Sequence, residues 1–407
     1  MSAQRVRRSV WLGVLWALGG AATASAQQAG AVLASEPDDS PAWHTLRTAV
    51  EAADVVFVGE WHGFADTSEV VAALLASTEW RAYAVEVGPW AAEVAAGTLA
   101  RSGVEGWARR LRTAPMSVPF LWWREDAEVA HAFLASAPGR RLIGFDREFP
   151  WSARLLLDPG GVDPRAADGV EAWPLAAVAD SLKALDREAH AGYARFSSTG
   201  EPGALLLYGP VAERLERLAT SAEAASTPDG RCLAERLRFL ARSARLDAAL
   251  RRGAPNAGAE RTDLMARTLA PELHAEGGRV LLRTGLDHAA RGTSWKGRPD
   301  LPATLAAEGL GHLRTVHVAV VPAEGTVNAW MPGAPDEARR RPFDGVRALS
   351  GLLDLAPFVE RAAPEGWTLY DMRSEAPAAG AGPVGSTIGP FDFLVIVRRA
   401  RAATLLN

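Results

Sequence analysis

The stretch "ADVVFVGEWHGFADTSE", residues 53–69, decides the fold. Its "VVFVG" core shows no alternation of apolar and polar residues, which is the signature of a strand buried on both faces of a parallel sheet. The run stops at Gly59 and delivers Glu60, Trp61 and His62 in succession. Acids and imidazoles are costly at the rim of a core, so their placement asks for a use.

Working outward, "AWHTLRTAVEAA" reads as a short helix before this strand, and Thr67 or Ser68 is the expected cap of a helix carrying Val70, Val71, Leu74 and Leu75. Then come the strand "YAVEVG", a helix near Trp90 to Leu99, the helix "REDAEVAHAFLASA" and the strand "RRLIGFD". From about 151 to 260 long helical segments run without a strand, predicting a large helical insertion. Strands resume with "RVLLRTG" at 279–285 and "TVHVAVV" at 315–321, and the chain closes on "FDFLVIVRRA". The rhythm predicts an α/β fold: a mainly parallel sheet flanked by helices. Gly380, Gly382 and Gly385 have dinucleotide-loop spacing, but no strand precedes them and no helix follows, so they carry no such site.

The composition, 48% hydrophobic and 23% charged with a formal net charge of -4, is globular and lacks the basic footprint that nucleic-acid binding needs. Arg5, Arg7 and Arg8 precede an apolar run broken by glycines and ending in Ala24, Ser25 and Ala26, the pattern of a secretory signal peptide over residues 1–26. A leader segment over 27–45 and an α/β domain over 46–400 follow. The run is short for a membrane span, so the expectation is an exported protein, periplasmic or extracellular, with no stable membrane anchor. The single cysteine, Cys232, excludes an internal disulfide and is expected to be a small packed side chain.

Glu60 and His62 follow the first strand, Glu86 lies in the last residues of the second, Asp146 ends the third and His288 follows the fourth. In an open parallel sheet the carboxyl ends share one edge, and the crevice outside that edge binds ligands. Gathered there, these groups would supply a base, an acid and an orienting group for water activation. Blander assignments exist for each: Glu60 as a helix cap, Glu86 paired with Arg81, Asp146 paired with Arg147 or Arg154. No GxSxG, no HExxH and no plausible catalytic cysteine is present, so hydrolysis would proceed by direct attack of water.

The ordered set "VVFVGEWHG", "YAVEVGP", "RLIGFD", "ERTDLMARTL", "RVLLRTGLDH" and "FDFLVIV" resembles the erythromycin-esterase-like proteins over roughly residues 50 to 400, and more distantly the ChaN-type haem-iron-binding proteins. The resemblance implies a parallel α/β core with inserted helices and, in the esterase branch, metal-independent opening of a macrolide lactone by water. By motif position it implies His62 as general base, Glu60 and Glu86 as neighbouring acids, His288 as the late histidine, and Arg261 as an anion-stabilising or positioning group. Asp146, placed by its strand end, is expected with Arg261 at the substrate. Two departures argue against macrolides. One residue, not two, separates Glu60 from His62, and a usual His-Asn pair is replaced by Gly285 and Leu286.

A small-molecule ester substrate and no cofactor are therefore expected. The competing reading is a binder of haem, metal or another small ligand, with His62, Glu60 and His288 as a two-His-one-carboxylate set. A third is a vestigial pocket with an interaction surface, in which Trp61, Trp90, Trp122 and Trp123 line an apolar cleft.

Overall fold

A computed structural model describes residues 31–32, 41–115, 117–149, 151–157, 176–199, 210–275, 277–292, 299–329, 336–350, 354–373 and 391–406. The expected signal peptide, most of the leader and the loop with Gly380, Gly382 and Gly385 lie outside the described residues.

The strands are β1 (Ala31–Val32), β2 (Val55–Glu60), β3 (Ala82–Val85), β4 (Arg141–Gly144), β5 (Val280–Gly285), β6 (Thr315–Asn328), β7 (Arg340–Asp344), β8 (Trp367–Asp371) and β9 (Phe393–Ala400). They form one sheet in the order β1-β8-β9-β6-β2-β5-β3-β4, with β7 added to β6. From β9 to β4 every neighbouring pair is parallel, while β1, β7 and β8 join antiparallel. The fold is thus the α/β class that the uninterrupted apolar strands imply, with an antiparallel margin.

β2 is central and buried along its whole length. Val56 and Val58 face one apolar cluster, Val55 and Phe57 the other. Removing such side chains from water is worth about 1.5–3 kcal/mol each, which is why a run without alternation settles in the middle of the sheet.

The first cluster packs the sheet against α1 (Pro41–Ala52), α2 (Ala65–Ser77), α3 (Pro89–Thr113) and α4 (Arg124–Ser136). Between β4 and β5 the described elements are all helical: α5 (Ala153–Leu157), α6 (Ala176–Thr199), α7 (Pro210–Glu223), α8 (Pro228–Arg251) and α9 (Ala257–His274). Side chains of α5 to α8 extend the first cluster, whereas Met265, Leu269 and Leu273 of α9 pack on the opposite face. After β5 comes the short α10 (Leu286–Ala289).

Several local expectations need correction. Phe64, not Thr67 or Ser68, stands at the N-cap of α2, with no side-chain cap. Thr67 and Ser68 are buried inside the helix, where the Ser68 hydroxyl finds Asp126 instead. Cys232 is exposed on α8 rather than packed. β6 continues seven residues past the expected 321 because its distal half finds a partner in β7. Trp90, Trp122 and Trp123 are buried in the core, the commoner of the two readings for aromatic residues in this number. No described helix is long and apolar enough to cross a membrane.

Candidate active site

The register of the central strands sets the site. Glu60 pairs with Gly285 and Val58 with Arg283, so β2 and β5 reach their carboxyl ends side by side. Side chains alternate along each strand, which puts Glu60 on the same face as Val56 and Val58 and brings Arg283 beneath it. Glu60 is fully buried and turned inward, capping no helix.

Its two oxygens have separate partners. Oε2 accepts from Arg283 Nε at 2.7 Å, and Oε1 meets His62 Nδ1 at 3.0 Å. The carboxyl stays below the usual range: burial opposes ionisation, but the charge of Arg283 and the contact with His62 prevail. His62 is pushed the other way. Burial disfavours its cation, yet the hydrogen bond and charge of Glu60, with Glu86 beyond, raise its pKa above the ordinary imidazole value. The ring rests edge-on against Phe120, with centroids 4.4 Å apart, and its side chain is 40% exposed. Nε2 is the nitrogen left for chemistry.

Glu86, just past β3, forms the second half of the site. Its Oε2 accepts from Thr284 Oγ1 at 2.6 Å and from the backbone N–H of Gly285 at 2.7 Å, while Oε1 accepts from Arg261 Nη2. Burial works against the charge, but the guanidinium of Arg261 above all holds this carboxyl well below the usual range. A Cβ on Gly285 would stand 3.3 Å from His62 Nε2 and 3.7 Å from Glu86 Oε2. A Cβ there would crowd the His62 ring and stand in ordinary contact with the carboxylate, so the bare glycine keeps the space over the end of β5 open.

Arg261, on α9, has partners for four of its five N–H donors. It donates through Nε to Asp146 Oδ1 at 3.0 Å and through Nη2 to Asp146 Oδ2 at 2.8 Å as well as to Glu86, and its Nη1 lies 3.4 Å from His288 Nε2. A guanidinium only donates, so His288 Nε2 accepts and the ring is neutral. Burial accordingly lowers the His288 pKa to about 4, Arg261 assisting against the pull of Glu86 and Asp146. Asp146 also accepts from Arg147 Nη1 at 3.2 Å, as its blander assignment foresaw. Glu86 does not pair with Arg81, which bonds the carbonyl of Glu272. Arg154 is engaged by Asp186.

Six residues spread over more than 200 positions thus meet at one sheet edge in two linked groups: Glu60 with His62, and Glu86 with Arg261, Asp146 and His288. As a metal site they do not fit. Glu60 is saturated by Arg283 and His62, and His288 Nε2 faces a cation. Among the described residues no group of three or more His, Cys, Asp or Glu side chains is arranged to hold a metal ion.

Three neighbours escaped the sequence reading. Arg283 stands in the quoted "RVLLRTG", a charge inside an apolar strand, and that misfit was the available signal. Its Nη1 lies 2.7 Å from Asp126 Oδ1 on α4, which in turn accepts from Ser68 Oγ at 2.5 Å. Glu148, 1% exposed, accepts from the N–H groups of Trp90 and Ala91 at 2.8 and 3.2 Å at the start of α3.

Burial, with the charge of Asp146 added, pushes the Glu148 carboxyl up to about 8 despite those two N–H groups. The folded protein therefore holds a proton that the unfolded chain releases above the ordinary carboxyl pKa. Stability should fall as pH rises from about 4.5 to about 8, by up to about 1.4 kcal/mol per pH unit, and level off above. Urea midpoints between pH 5 and 9 check this; in Glu148→Gln the slope should flatten, and an unchanged slope would refute the assignment.

No protein-family model matches the chain, and no curated protein is recognisably similar to it in sequence. Among solved structures, the erythromycin esterase EreC, in a histidine-to-asparagine variant and its open conformation, is similar with a TM-score of 0.60 and 14% identity over 94% of this chain and 100% of that one. A Bacillus cereus protein gives 0.54 and 14% over 93% and 96%. A haem-bound ChaN of Campylobacter jejuni reaches only 0.31, at 12% identity over 71% and 90%, too low to carry an argument. The likeness is one of fold.

Proposed function

We propose that this chain is an exported hydrolase that cleaves an ester or lactone by direct attack of water, with His62 as general base. The observation that carries the reading is the Glu60–His62 pair: Oε1 and Nδ1 are 3.0 Å apart, one partner is fully buried, and the other is 40% exposed at the sheet edge. An ionised carboxylate accepts only, so the shared proton sits on Nδ1 and Nε2 presents its lone pair outward. Nε2 takes a proton from water as the oxygen adds to the acyl carbon, and the imidazolium returns that proton to the leaving alkoxide. The charge of Glu86, which favours the protonated His62 ring, stabilises the imidazolium while it exists. Arg261 holds Glu86 and His288 in place, and the second N–H of its Nη1 is left to meet the developing oxyanion. The fold shared with an erythromycin esterase supports this chemistry over a fold without such precedent, and leaves the substrate open.

No observation of the site favours the haem or metal binder, since Glu60 and His288 are already engaged by protein and leave only His62 Nε2 open. Purified protein should therefore turn over at least one member of a panel of aliphatic, aryl and lactone esters. The acid limb of its kcat/KM profile should lie above the ordinary imidazole pKa, because the protonated base is inactive and Glu60 favours protonation. In Glu60→Gln that support is lost, so the limb moves to lower pH while kcat falls. A panel without turnover, beside a haem spectrum or bound metal in the untreated protein, would replace this reading with the binding one.

A further inference from the structure

We propose that Arg283 is a positioning residue for the base: by clamping Oε2 of Glu60 it keeps that carboxylate a pure acceptor and so fixes His62 as the Nδ1–H tautomer. This rests on the reading of His62 as general base and names what sets its orientation.

Arg283 is 2% exposed in a strand whose other described residues are apolar, small or uncharged. A buried ion pair is weak as a source of stability, because desolvation cancels most of its Coulomb energy, and a well-packed aliphatic side chain would serve the core as well. The geometry shows a different use. Nε donates to Glu60 Oε2 at 2.7 Å, while Nη1 is anchored 2.7 Å from Asp126 Oδ1, itself fixed by Ser68 Oγ at 2.5 Å. The guanidinium plane is thereby held at both ends, on α4 and on β2, and its face lies 6.0 Å from the Phe120 ring that also backs His62.

The tautomer follows from this clamp. With Oε2 satisfied by a cation, Oε1 has no proton to give and must accept from Nδ1. Without the cation, Glu60 is a buried acid beside a buried Asp126, and like charges in such a site favour proton uptake. A protonated Glu60 donates to Nδ1, moves the ring proton to Nε2, and points a donor at the water that needs a base. Burial pushes the Asp126 carboxyl up to about 6, while Arg283 and His62 hold that of Glu60 below its usual value.

The test is the 15N signature of the His62 ring at a pH above its titration, with the signal assigned by its absence in His62→Ala. Wild type should show Nδ1 protonated and Nε2 bare. Arg283→Gln should lose that signature and lower kcat at least about tenfold with KM nearly unchanged, the mark of an interaction used in the transition state. Arg283→Lys should restore part of both. If Arg283→Gln does not fold, Arg283→Gln with Asp126→Asn removes cation and anion together, a change that buried pairs tolerate, and should show the same loss. A folded variant of either kind that keeps the Nδ1–H tautomer overturns the proposal. Wild-type protein with the expected tautomer and no turnover of any ester would instead overturn the hydrolase reading, so the two failures are distinct.

Discussion

Substitution of His62 by alanine is expected to lower turnover by about 10³-fold on whichever ester the protein cleaves, the usual contribution of a positioned base. KM should hardly move, because the imidazole acts on water rather than on the substrate's bulk. The fold should survive: the residue is partly exposed, its lost contacts are one hydrogen bond and the edge of Phe120, and Glu60 keeps its Arg283 partner. That cost is about 1 kcal/mol. The substitution also leaves a ring-sized space against Phe120 and above bare Gly285, so added imidazole should restore part of the rate, following the basicity of the imidazole supplied. A variant within about threefold of wild type would remove His62 from the chemistry and the proposed function with it.

The parts of this site legible in the sequence are those fixed by chain direction alone. Uninterrupted apolar runs must be strands buried on both faces, such strands are parallel, and parallel strands share their carboxyl edge; Glu60, Glu86, Asp146 and His288 then have to be neighbours. What that logic cannot reach is which acid takes which base. Arg261 and Arg283 lie far from their partners in sequence, and only the placement of α9 and the β2–β5 register decide that one serves Glu86 and the other Glu60. The margins were illegible for another reason. β7 is largely exposed, with no buried face to write an alternating pattern, and is held by pairing with the far end of β6. Ser68 reads as a helix cap by type, yet the buried Asp126 offers a stronger acceptor and the helix simply begins earlier. Cys232 follows a general preference for burial that one exposed helix position overrides.

The largest effect on stability should come from Arg261→Met. Arg261 is the cation shared by Glu86 and Asp146, whose side chains are 5% and 0% exposed. Methionine fills much of the stem's volume but leaves two buried carboxylates facing each other, with Arg147 still on Asp146 and no cation on Glu86. Breaking a buried pair in this way costs about 3–5 kcal/mol, far more than the intact pair contributes. The pH dependence identifies the cause. In wild type the Glu86 carboxyl lies below its unfolded value, so its share of stability is present above the ordinary carboxyl pKa and disappears as pH falls through the depressed folded value. In the variant burial acts on Glu86 without Arg261, its pKa rises, and the folded state recovers part of the loss by taking up a proton. The difference between the two proteins in urea unfolding should therefore be greatest near pH 7.5 and shrink toward pH 5. An Arg261→Met protein destabilised by less than about 1 kcal/mol at neutral pH, or equally at both, would mean that water reaches Glu86 freely and that Arg261 holds no buried charge in place.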